Sequence, residues 1–334
     1  MPGPRPSRRR VLVTGATLLV VGPAVLAGCT GSARTPENPD PLEAPARRAE
    51  TDSALARAVA QVAAAHTHPA LATAASALAA DRMAHAITLR AELRRVRPET
   101  APTSAAPVAA PPPAGPADLT GARASLTEAV RAAQDEAAGL VLTLPGYRAA
   151  LLASVAACCA SHALPSHPDM ETYRGVQAPD NREMSPYGAR PIMAVDALQA
   201  ALAAEHAAVW VYGLVGAFVP DSLAGQLDEA VAAHQARRDA TERTLIDAGA
   251  RPGPTEPGYL TPNPVIDAAS ALRLAITAET DAAAAWRSVV ERSPAEPGLR
   301  GAALDALTRA AVAAARWRAA AGTTPLTAPF PGAP

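Results

Sequence analysis

"GARPGPTEPGYLTPN", residues 249–263, packs four prolines and three glycines into fifteen positions. It separates two long helix-like stretches, about 221–248 and 264–292, and is far longer than an antiparallel helix pair needs for its turn. The connections on either side are short: "VPDS" (219–222) closes a pair with the stretch at 193–218, and "SPAEPG" (293–298) closes another with 299–321. Short, long, short describes two antiparallel hairpins joined by a crossover.

The first half repeats the plan. Helical stretches at 51–66 and 69–96 meet at "HTHP" (66–69), and those at 118–142 and 147–162 meet at "TLPG" (143–146). Between the pairs runs "PETAPTSAAPVAAPPPAGPA" (98–117). Ala, Leu and Arg dominate throughout, and strand-like alternation is missing. The expected fold is therefore all-α: two ferritin-like four-helix bundles in tandem, each with a long crossover between its second and third helices. Shared features of the halves, Ala84-His85 against Ala233-His234 and an opening Arg148 against Arg300, favour an internal duplication. The expected boundaries are an N-terminal bundle at 51–163, a linker at 164–192, a C-terminal bundle at 193–322 and a disordered tail at 323–334.

The chain opens differently. "SRRRVLVTGATLLVVGPAVLAGC" (7–29) sets Arg8, Arg9 and Arg10 before an apolar run that ends Leu26-Ala27-Gly28-Cys29, the layout of an export signal. The ending resembles a bacterial lipobox and the opening a twin-arginine export motif. That resemblance implies a signal at 1–28, lipid on Cys29, a Pro-rich flexible tether at 29–50 and an extracytoplasmic location at the cell membrane. Without the signal, 26 basic face 31 acidic residues, so nucleic acid is not an expected partner. No lysine occurs, which excludes a Walker phosphate loop and a Schiff-base lysine. Cys158 and Cys159 are neighbours on a helix, point about 100° apart and suit small buried positions, with an intermolecular disulfide as the alternative.

Apolar stripes at +3 and +4 spacing place polar residues where the second bundle has its core. They run Leu198, Leu202, Glu205, Val209, Tyr212 on its first helix and Leu227, Val231, His234, Arg238, Thr241, Leu245 on its second. The third carries Leu272, Ile276, Glu279, Ala283, Trp286, Val290. Glu205, His234 and Glu279 thus converge at similar depth, with His206 on the flank of its helix. In the first half the stripes run Leu55, Val59, Val62, His66 and Leu78, Arg82, His85, Leu89. No carboxylate is expected among them, and His85 suits a hydrogen-bonded core histidine. His66, His68, His162 and His167 border turns or linkers, where solvated or capping roles are expected.

"AEHAAVWVYG" (204–213), "HQARRD" (234–239) and "AETDAAAAW" (278–286) resemble the ferritin-like domain of unknown function found in actinobacterial lipoproteins. By that resemblance, Glu205 and Glu279 are similar to the two single carboxylates of a metal-binding bundle, and His234 to the histidine of one Glu-x-x-His. Val231 stands where that motif's Glu belongs, and no Glu or His lies between Gly298 and Gly322. Two readings follow. In one, Arg237 or Arg238, next to Asp239, neutralises the carboxylates, and the protein is a non-enzymatic binding or interaction module, alone or as a homo-oligomer. In the other, Glu205, His234 and Glu279 hold Fe, Mn or Zn, with His206 or Tyr212 beside them and redox or metal-handling activity. Trp210, Trp286 and Trp317 recur at helical spacing and suit core or interface positions.

Overall fold

The computed structural model describes residues 39–97, 118–162, 194–295 and 297–334. Residues 1–38, where the export signal, the lipidation of Cys29 and most of the tether are expected, lie outside them, as do the whole 164–192 stretch and His167. The described residues form eight α-helices and no strand: α1 Glu43–Ala65, α2 Pro69–Val96, α3 Leu119–Val141, α4 Gly146–Ser161, α5 Val195–Val215, α6 Ala224–Asp247, α7 Ala268–Arg292 and α8 Pro297–Ala320.

Local chemistry sets the ends. Asp118 accepts from Gly121 N–H at 2.6 Å to cap α3, and Asp267 and Ser270 form a reciprocal capping box on α7. Such caps satisfy amides that have no partner inside the helix. His68 caps α2 through the Leu71 amide and also meets Arg123 Nη2 at 2.8 Å, which bears out a capping role, while His66 is exposed at the end of α1. The start of α1 differs from expectation. It begins at Glu43, inside the stretch assigned to the tether, because Pro45 falls in the first turn, where a missing N–H costs nothing. Asp40, held by the Leu42 amide and by Arg148 at 2.5 Å, anchors the entry.

Helix pairing is the same in each half. α1 packs on α2 and α3, and α3 on α4; α5 packs on α6 and α7, and α7 on α8. The halves are not separate, however. α4 packs on α7 and α8, and one apolar core joins Leu89, α3 and α4 to Leu198, Leu202, Trp286, Leu304 and Leu307. Every residue of α4 from Ala149 to Ala160 is buried, the mark of a helix with neighbours on all sides. Arg300, buried on α8, donates to the carbonyls of Val141, Leu144 and Ser293 and so ties the ends of α3 and α7 together. α5 is long and apolar enough to cross a membrane, but half of that stretch is buried within the protein.

The 323–334 segment is not a loose tail. Thr327 and Pro331 are buried, Pro331 O accepts from Ser154 Oγ on α4 at 2.8 Å, and Pro329 O accepts from His85 Nε2 on α2 at 2.6 Å. Gly332 (φ 74°) lies against α7 so closely that an added Cβ would sit 2.5 Å from the Ala283 carbonyl oxygen. Only glycine fits there. A Thr/Pro/Gly sequence has the composition of disorder, but its carbonyls are satisfied by donors from distant helices.

Candidate functional site

The polar residues of the C-terminal half meet as their stripes require. Glu205 (α5), His234 (α6) and Glu279 (α7) are essentially inaccessible to solvent. His234 Nδ1 lies 2.6 Å from Glu205 Oε2, and its Nε2 lies 3.3 Å from Glu279 Oε1. Arg237, one turn after His234, donates from Nε to Glu205 Oε1 at 2.8 Å. Trp286 Nε1 donates to the same oxygen at 2.6 Å. On the other side Tyr212 Oη donates to Glu279 Oε1 at 2.6 Å and accepts from Trp317 Nε1 at 2.7 Å. One continuous hydrogen-bond network thus crosses all four helices, and Trp317 of α8 stands where a metal bundle would offer a ligand.

The electrostatics follow from these contacts. Burial alone would raise the Glu205 carboxyl, but His234, Arg237 and Trp286 hold it below the ordinary carboxylate value. Burial likewise opposes charge on His234, and Arg237 Nη2, 2.8 Å from Nδ1, adds to that opposition. Hydrogen bonds to two carboxylates overcome both, so its pKa is raised and the ring donates from both nitrogens. Burial and the Glu279 charge push the Tyr212 phenol well above its usual value. Two anions therefore face two cations, and the interior is balanced.

Arg237, not Arg238, supplies the second cation. Arg238 lies at the edge of α6 and pairs with its neighbour Asp239 at 2.7 Å. One residue turns a helical position by about 100°, so the stripe assigned to Arg238 is displaced by that step. His206 is buried beside the network, not in it: Nδ1 meets Thr255 Oγ1 of the crossover at 2.9 Å and Nε2 lies 3.7 Å from Glu242. Trp317 is the member that no stripe contained, and Trp286, though in the α7 stripe, was given only a core or interface position. A buried indole N–H needs a partner, and that requirement was the available signal.

A ferritin-type metal fits this site poorly. Both oxygens of Glu205 and both nitrogens of His234 are engaged with protein partners. An imidazolium has no lone pair to give. Glu279 Oε2 differs: it is buried and has no hydrogen-bond partner. Beside the network, α5, α7 and the crossover enclose a cleft of about 290 Å³ lined by Ala204, Trp210, Tyr259, Leu260, Ala278 and Asp281 among others.

The N-terminal half holds a second polar cluster, contrary to the expectation that no carboxylate enters it. Asp52 of α1 accepts from Arg82 Nη2 of α2 at 2.9 Å, with both side chains buried. Arg82 Nη1 donates to His85 Nδ1 at 3.0 Å, and His85 Nε2–H donates to Pro329 O. His85 is thus a satisfied core histidine, as expected. Burial and the adjacent Arg82 charge lower its pKa to about 3. Behind it, Asp81 Oδ2 accepts from His162 Nε2 at 2.7 Å, Thr327 Oγ1 at 2.6 Å and Cys158 Sγ at 3.6 Å. His162 is therefore buried and hydrogen-bonded to Asp81, not solvated at a linker. Asp81, Cys158 and His162 offer ligand atoms within 4.8 Å of one another, a group that could hold a metal ion. Cys158 and Cys159 are free, buried thiols. Burial pushes Cys159 up to about 11, and burial together with Asp81 pushes Cys158 well above its usual value, so neither serves as a nucleophile.

Comparison with known proteins finds a match to the second half of the chain. Residues 197–334 match the family model DUF4439, a domain of unknown function. A solved structure of a conserved hypothetical protein from Mycobacterium tuberculosis is 40% identical, over 42% of this chain and 97% of that one, with a TM-score of 0.38. No curated protein matches the chain.

Proposed function

We propose, for a chain that belongs to this family of unknown function through residues 197–334, a ferritin-like module that binds or interacts and does not catalyse. Its two halves are degenerate four-helix bundles, and the C-terminal one keeps an ion-pair network in place of a metal centre. The observation that carries this reading is His234, whose two nitrogens are both committed to carboxylates while Arg237 supplies the remaining positive charge. Each charge is already answered inside the protein, so no exogenous cation is needed to hold the helices together. The cleft against Trp210 and Tyr259 supports the binding role, since methyl groups and aromatic faces suit a small apolar ligand. The lipobox resemblance at Leu26-Ala27-Gly28-Cys29 supports a lipid anchor on Cys29 that holds the module outside the cytoplasm at the membrane, where a protein partner or second copy would meet it.

The deciding experiment measures bound Fe, Mn and Zn in the chain purified without a histidine tag, alongside Glu205→Gln and Glu279→Gln. Metal content unchanged by either substitution is expected. Metal lost with both would replace this reading by the second one, a Fe, Mn or Zn site on Glu205, His234 and Glu279. The unpartnered Oε2 of Glu279 is the observation that favours that second reading. For the anchor, Cys29→Ser is expected to move the protein from the membrane to the soluble fraction and to abolish fatty-acid labelling.

A further inference from the structure

We propose that Asp81, Cys158 and His162 form a zinc site that pins the C-terminal segment to the N-terminal helices. Cys158 lies in the last turn of α4 and His162, four residues on, caps its C-terminus, so both fall on one side of the helix end, and Asp81 meets them from α2. The set is one sulfur, one imidazole nitrogen and one carboxylate oxygen. That mixture suits zinc, whereas magnesium and calcium take oxygen ligands. The three ligand atoms already lie within 4.8 Å of one another. In a tetrahedral site with zinc–ligand bonds of about 2.0–2.3 Å, neighbouring ligand atoms stand roughly 3.3–3.8 Å apart. The Cys158–Asp81 separation of 3.6 Å meets that spacing, and the His162–Asp81 separation of 2.7 Å has to open by about 0.6 Å to reach it.

A second observation points the same way. A single oxygen, Asp81 Oδ2, receives an N–H, an O–H and an S–H donor at once. Three donors converging on one buried anion mark a place where positive charge is wanted, and a cation there would displace two of the three protons. The Cys158 thiol proton leaves to solvent, the proton on His162 Nε2 moves to Nδ1 or, where Nδ1 already holds one, leaves to solvent, and the Thr327 hydroxyl keeps its own. Zinc's two charges are then matched by one carboxylate and one thiolate. Thr327 Oγ1 lies beside the group, 2.6 Å from Asp81 Oδ2 and 3.3 Å from His162 Nε2, and a water would complete the coordination. Because Thr327 belongs to the 323–334 segment, the metal couples α2 and α4 to the end of the chain. This site is independent of Glu205, His234 and Glu279.

The test titrates the reduced, untagged full-length chain with Zn²⁺, and separately with Co²⁺, whose thiolate charge-transfer band reports sulfur ligation. One zinc per chain and a thiolate–cobalt band are expected. Cys158→Ser, His162→Ala and the near-isosteric Asp81→Asn should each weaken binding by more than about tenfold, since even outer-shell changes commonly cost that much. Cys159→Ser, whose sulfur faces Arg82, and Glu205→Gln should leave both signals intact. Folding of every variant is followed by far-ultraviolet circular dichroism, and Asp81→Asn carries the test where Cys158→Ser unfolds. Failure of the folded wild-type chain to take up a tenth of an equivalent of zinc overturns the proposal. So does a cobalt band that survives Cys158→Ser but disappears in Cys159→Ser. Loss of binding in Glu205→Gln alone would place the metal in the C-terminal network instead.

Discussion

His85 and His234 sit at matching places on the second helix of each half, and their pKa values are shifted in opposite directions. Each stands three residues from an arginine that reaches a carboxylate on the preceding helix: Arg82 to Asp52, and Arg237 to Glu205. The order is reversed, Arg-x-x-His in one half and His-x-x-Arg in the other. What differs is the group on the far side. His85 Nε2 meets a backbone carbonyl, Pro329 O, and the ring stays neutral, whereas His234 Nε2 meets a second carboxylate, Glu279. Burial is complete in both, so desolvation does not distinguish them. The partner does.

The largest expected effect breaks both halves alike. Arg237→Met and Arg82→Met each leave a buried carboxylate without its cation, and each should cost on the order of 3–5 kcal/mol in urea unfolding. Adding Glu205→Gln to Arg237→Met should recover part of that loss, because the orphaned charge goes with it. A cost below about 1 kcal/mol in one half only would end the parallel between them. Deleting residues 323–334 should act unequally. It removes the acceptors of His85 and Ser154 and the Thr327 donor, at about 1 kcal/mol each, and hydrogen exchange should show the loss in α2 and α4 rather than α6.

Acidity separates the histidines next. His85 titrates near 3 when folded and near its ordinary 6.5 when unfolded, so the unfolded chain binds the extra proton between those values. Its contribution is fully present above about pH 6.5 and declines toward pH 3, by at most about 1.4 kcal/mol per unit. His85→Gln should flatten that slope. The raised pKa of His234 works in the other direction: its contribution is present below 6.5 and fades as pH rises through the folded value. Nitrogen NMR of the imidazoles should find His85 neutral at pH 5 and His234 charged at the same pH. The smallest effect is expected from Trp317→Phe, which withdraws one donor from Tyr212 and should cost about 1 kcal/mol.

Much of this was legible in the residues. Proline- and glycine-rich connections punctuate the chain, so the helices from α2 to α8 fall within a few residues of their expected positions. Glu205, His234, Glu279 and Tyr212 stood out because large apolar neighbours define the stripes of α5 and α7. The first half lacked that frame. α1 and α2 are so rich in alanine that their inner faces are not marked by size, and Asp52 and Asp81 fell outside the stripes while Leu55 and Val62, only partly buried, were placed in them. Arg237 and Arg238 are adjacent, and a long side chain reaches inward from a stripe's edge as well as from its centre. The role of 323–334 depends on donors some 170 to 250 positions earlier in the chain, and no local pattern records those.

α4 carries one further implication. A helix enclosed from Ala149 to Ala160 has no solvated side of its own, and part of its enclosure comes from α7 and α8, which emerge last during synthesis. The first half therefore waits for the second before it can close. The two should not behave as separable modules: a calorimeter should record a single melting transition, and a chain cut in the 164–192 linker should survive only if its fragments associate.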